Sequence, residues 1–153
     1  MPWSVVSFGR HRGKTLPQIV FHDPDWFFWA YEQGVFKADL QEQAEELYQK
    51  ATHIRVPPRG SEKHVAEYVI HPSAGKLVGV ELVPVSRPRH EGSPTFRKDV
   101  LDMKFPKTIH GYDKTGGKIL IKDLKSILFG SPSRRLMRES IEAFFDYPAN
   151  FDL

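Results

Sequence analysis

Three cations project from one tight turn near the start of this 153-residue chain. In Phe8-Gly9-Arg10-His11-Arg12-Gly13-Lys14, two glycines four apart let the backbone reverse or take positive φ. Backbone N–H groups in such a turn, with Arg10, His11, Arg12 and Lys14 around them, make a candidate anion site. The plain alternative is a hairpin-like turn whose basic side chains are simply solvated. The spacing also echoes a P-loop superficially, but it has one residue too few between its glycines and no βαβ pattern follows, so nucleotide hydrolysis is excluded. A second set of cations, Arg87, Arg89, Arg97 and Lys98, falls in residues 84–98, which hold three prolines and a glycine. These are further candidates for phosphate contact. A third set, Arg134, Arg135 and Arg138, is expected along one edge of a final helix, where it could meet an acidic partner or merely face solvent.

Other chemistry is poorly served. The seven histidines form no helical pair, and His64 and His71 fall on opposite faces of a regular strand. With no cysteine there is neither a disulfide nor a thiolate metal site. Two-metal hydrolysis needs clustered carboxylates, and Asp99 with Asp102 is the nearest approach to that. No catalytic residue, metal site or cofactor is expected.

The elements that must position the turn follow it directly. Residues 7–36 hold two of the three Trp and five of the eleven Phe. Thr15 can cap a short helix with Pro17 in its first turn. Asp23-Pro24-Asp25 repeats the device for a nearly all-aromatic helix over 24–33, with Gly34 as its stop. Such a helix is expected to be core, with Trp29 buried and Trp26 the less certain of the two. A ring or two could still reach the surface beside the basic turn and stack an unpaired base.

The run Phe-Gly-basic-His-basic-Gly-Lys-Thr-Leu, a Pro-containing turn of helix, and then Asp-Pro-Asp-Trp-x-x-Trp together resemble the module at the C-terminus of exodeoxyribonuclease X. The resemblance covers about residues 5–50. It implies a non-catalytic accessory module that helps hold nucleic acid, DNA more than RNA.

Downstream, 37–53 reads as an amphipathic helix on Leu40, Ala44, Leu47 and Ala51, with Asp39 as N-cap and Glu42 three residues on. Val56-Pro57-Pro58-Arg59-Gly60-Ser61 breaks the pattern and divides the chain into 1–54, the exodeoxyribonuclease X-like module, and 61–153, a basic α+β part that could pack with it as one domain. Strands at 65–70 and 76–83 form a hairpin, 84–98 is a long loop, and 101–105 alternates like a strand. Residues 113–118 lead into 119–129, read either as one helix or as a strand at 118–121 and a shorter helix. A last helix runs from Ser131 or Ser133 to Phe145, with Leu136 and Met137 inward. The fold class is α+β: a helical module built on the aromatic helix, then a small antiparallel sheet with C-terminal helices.

Charge is unevenly placed. Residues 1–53 carry 5 Lys and Arg against 7 Asp and Glu, a net of −2, and 54–153 carry 17 against 12, a net of +5. A mild basic excess favours nucleic acid. With no membrane-length apolar run or secretion signal, a cytoplasmic protein is expected. Its function is expected to be nucleic-acid binding without catalysis. The alternative is a phage or mobile-element interaction module that inhibits a host nucleic-acid enzyme.

Overall fold

The computed structural model describes residues 2–111 and 114–153; Asp113, at the head of the segment leading into the long C-terminal helix, lies outside them. The turn closes because the Val6 N–H donates to the Lys14 carbonyl and the Gly13 N–H to the Val6 carbonyl, both at 2.8 Å. An isolated bridge, Val5 to Thr15, flanks the turn. Thr15 then caps α1 (Leu16–Val20), with Gln18 reaching back to accept from the Thr15 N–H at 3.0 Å. Asp23 caps α2 (Pro24–Glu32) by accepting the Trp26 N–H. At its far end Gly34 sits at φ 67°, and the N–H groups of Gly34 and Val35 return to the carbonyls of Tyr31 and Ala30, which is the Schellman arrangement.

Phe27, Phe28 and Ala30 of α2 are buried, as expected of a core helix. Trp29 is not: it is 42% exposed. The reason is periodic. Asp25, Trp29, Glu32 and Gln33 share one face, and the first is half-buried while the rest are exposed. Trp29 therefore belongs to the polar stripe.

α3 (Asp39–Ala51) buries Ala44, Leu47 and Ala51, but its N-cap is Ala38 at φ 52° with no side-chain cap, not Asp39, which is the first helical residue. β1 (Ile54–Arg55) follows. Beyond the breaker, β2 (His64–Ile70) pairs antiparallel with β3 (Leu77–Pro84), giving the hairpin, and β4 (Thr95–Lys98) joins the other side of β2. β4 emerges from the region expected to be all loop. Its pairing rests on a long-range match, Arg97 opposite Glu67 in register, with the Arg97 Nε 2.7 Å from the buried Glu67 carboxylate. Local patterning carries no trace of such a pair.

β5 (Val100–Leu101) pairs with β1 and ends sooner than expected. The Asp102 carboxylate accepts the Lys104 N–H at 2.9 Å, turning the chain, and Pro106 enters the first turn of α4 (Phe105–His110). α5 (Lys114–Phe129) is one continuous helix, which resolves the strand-or-helix alternative. It packs along the outer edge of β3, where the Asp123 carboxylate accepts the Val80 N–H at 3.0 Å and so satisfies an edge donor. α6 (Arg138–Asp146) starts later than expected: Ser131 and Ser133 form a local turn, Met137 is an extended N-cap, and Met137 is exposed while Leu136 is half-buried.

The tail then returns to the N-terminal helices. Phe151 bridges Ile54, the Trp3 indole donates to Asp146 at 2.9 Å, and Phe21 makes edge contacts with Phe144 and Phe145. Buried side chains from Trp3 to Phe151 form one cluster that spans both sides of the 56–61 breaker. The architecture is α+β, with helices and small antiparallel sheets. Among the described residues no helix is long and apolar enough to cross a membrane.

Candidate nucleic-acid interface

The turn and α2 are joined through one carboxylate. Asp23 Oδ2 receives both the Arg10 guanidinium and His11 Nε2 at 3.0 Å, while Oδ1 accepts the Trp26 N–H at 3.3 Å. His11 is buried, with its ring set edge-on to Trp26 at 4.8 Å between centroids. Burial pulls its pKa below the usual histidine value, and the hydrogen bond to Asp23 only partly opposes this. A neutral ring donating from Nε2 leaves Nδ1 as a buried acceptor without a partner among the described residues. His11 thus braces the turn from inside and presents no hydrogen bond outward. Arg10 and Arg12 remain exposed, with Lys14 half-buried.

Across from the turn lies a row of cations that sequence reasoning passes over. Lys118, Lys122 and Lys125 of α5 face Arg10, His22 and Asp23 across a cleft of about 600 Å³. Spaced by four and then three residues, they occupy one helical face. No ion pair holds any of them among the described residues. α5 passes close to the start of α2 at Gly117, where a Cβ would stand in ordinary contact, 3.5 Å from Asp25 Oδ2. Two carboxylates, Asp23 and Asp25, share the cleft with the cations, and Asp23 is already engaged by Arg10 and His11. The cleft therefore carries a net positive field. The spacing of the three lysines is legible in the sequence, but there it reads only as the polar side of an amphipathic helix.

The remaining candidates scatter. Arg97 is committed to structure: besides Glu67 it donates to the carbonyls of Val85 and Arg87, stapling the loop. Lys98 pairs with Asp102 at 2.8 Å and lies over the Phe105 ring. Arg87 stands 3.7 Å from Glu81, and Arg89 donates to the Thr95 carbonyl, both at the surface. Arg134 and Arg135 precede α6 and do not share an edge with Arg138. Arg134 lies over Phe129, Arg135 is exposed, and Arg138 pairs with Glu142. Asp99 and Asp102, the nearest approach to a carboxylate pair, are each occupied by a lysine, Lys63 and Lys98 respectively. Among the described residues no three metal-ligating groups converge.

A second cavity, of about 650 Å³ beside β3 and α5, is lined by Val78, Val80 and Ile127 with Arg59 and Asp123. Asp123 is spent there on the Val80 N–H and Arg59 on the Ile127 carbonyl, while Glu81, which also lines it, stands 3.7 Å from Arg87. It offers no row of free cations.

No protein-family model, curated protein or solved structure matches the chain.

Proposed function

We propose that the protein binds nucleic acid, DNA before RNA, without catalysing its cleavage, and that the phosphates run along the cleft between the basic turn and α5. One observation carries this: Lys118, Lys122 and Lys125 line up, without ion-pair partners among the described residues, opposite Arg10. Unpaired cations at helical spacing are available to displace the counterions of a phosphate backbone, the main source of affinity in such complexes. The resemblance of residues 5–50 to an accessory module of a DNA exonuclease points the same way. A cytoplasmic site of action belongs to the same proposal.

Replacing Lys118, Lys122 and Lys125 together by Ala tests it. Each cation taken away from a phosphate should lower the slope of log affinity against log salt by about 0.7–0.9, so the slope of the triple variant should fall by about 2–3. The decrease should be similar for unrelated DNA sequences, since phosphate contacts position without specifying. Equal affinity and slope in the two proteins would overturn the reading.

A second reading, the interaction module that inhibits a nucleic-acid enzyme, is favoured by one feature. Arg134, Arg135 and Met137 are exposed together in the irregular stretch before α6, and Arg and Met are enriched at protein interfaces. It would gain if the parent bound no free DNA at any salt concentration.

A further inference from the structure

We infer that Trp29 is a stacking platform for an unpaired base, so that the cleft's ligand is a single strand; this rests on the reading of the cleft as a phosphate track. The four aromatic residues at the centre of α2 divide sharply. Phe27 and Phe28 are buried, and Trp26 is held between His11 and Phe36. Trp29 is 42% exposed, and its side chain makes no ring contact or hydrogen bond among the described residues. An indole is a costly group to leave in water, and no ring contact or hydrogen bond among the described residues holds it there.

Its position does. Asp25, one turn earlier on the same face of α2, lines the cation cleft beside Gly117 and Lys118. Trp29 follows about 6 Å further along the helix axis. A strand whose phosphates lie on Lys118, Lys122 and Lys125 can therefore turn a base toward the indole face. Stacking on an aromatic side chain needs a free base face, which an unpaired nucleotide offers and a base inside a duplex does not. It tolerates any sequence, because every base has such a face. A charged groove with an aromatic surface one helical turn from its wall is the general chemistry of single-strand binding.

The test uses the full chain with a short oligothymidylate and a duplex of the same length, comparing the parent with Trp29→Ala, Trp29→Phe and the Lys118/Lys122/Lys125→Ala triple. Trp29→Ala should weaken oligothymidylate binding roughly 5- to 150-fold, with an unchanged salt slope and an unchanged affinity for the duplex. Trp29→Phe should retain most of the affinity, and the tryptophan fluorescence quenched by the oligonucleotide in the parent should be absent from it. Both variants should still unfold in one cooperative transition, with Trp29→Phe closer to the parent than Trp29→Ala, since the ring is only partly covered. If Trp29→Ala binds oligothymidylate as tightly as the parent while the lysine triple fails, the platform is overturned and the cleft stands. If neither variant differs from the parent, the cleft reading falls and the platform with it. A parent that prefers the duplex also overturns the inference.

Discussion

Asp23 caps α2, pins Arg10 and receives the buried His11, so a single carboxylate sets the pose of the whole basic turn. The arrangement makes stability depend on pH in a definite direction. Burial is the dominant influence on His11 and lowers its folded pKa below the unfolded value of 6.5. Between those two values the unfolded chain holds more protons than the folded one, so stability rises with pH across that window and is lost as pH falls from 6.5 through the folded pKa. His11→Gln keeps a donor toward Asp23 and cannot titrate. Its melting temperature should decline less than the parent's between neutral pH and pH about 5. The substitution removes one titratable group, so the difference between the two curves reports on His11. Parallel curves would show that this ring is already protonated, or exposed, in the folded state.

At the scale of elements, α5 faces the basic turn across the cleft, and Asp123 ties it to the sheet. The Asp123 carboxylate is half-buried against the edge of β3, and its pKa is raised by that burial while the Val80 N–H works to lower it. Asp123→Ala leaves the Val80 N–H without an acceptor and should cost about 1–3 kcal/mol in urea unfolding. Asp123→Asn keeps an acceptor and removes the buried charge, so it should lie close to the parent. Equal losses in both variants would mean that charge, not the hydrogen bond, holds α5 in place.

What the sequence revealed of these elements follows the range of the forces involved. α1 and α2 were legible because Thr15, Pro17, Asp23, Pro24 and Gly34 act within a turn of themselves. The β2–β3 hairpin was legible because its β-prone residues and the turn carrying Pro72 and Gly75 between them are local too. β4 was hidden, since what makes it a strand is Glu67, thirty residues away. α4 was hidden behind an alternation that Asp102 and Pro106 interrupt. Trp29 is the instructive miss. Its hydrophobicity argued for the core, while its spacing from Asp25, Glu32 and Gln33 placed it on the polar face, and the spacing prevailed. Of the candidate site, the turn was visible and the facing lysines were not, because no local signal says which helix will close over it.

At the scale of the whole molecule, the last sixteen residues belong with the first fifty-four. Thr15 donates to Glu142, Lys50 to the Phe145 carbonyl, and Arg55 to the Phe151 carbonyl, while the Phe145 and Phe151 rings stack on each other. Ile141, Phe145 and Phe151 are buried in the same cluster as Phe21, Leu47 and Ile54. Removing residues 138–153 deletes those three side chains at once. Each such deletion costs about 2–5 kcal/mol, and together they match the roughly 5–15 kcal/mol by which a domain is stable. A fragment of residues 1–137 should therefore show no cooperative thermal transition by circular dichroism, and should not bind DNA, although it retains Arg10, Arg12, Lys14 and every lysine of the cleft. Adding the 138–153 peptide should restore part of both, because the docking face is formed by residues still present. A fragment 1–137 that melts sharply near the temperature of the full chain would show that the basic turn and its helices stand without the returning tail, and that the tail's buried aromatics fill space the rest of the core does not need.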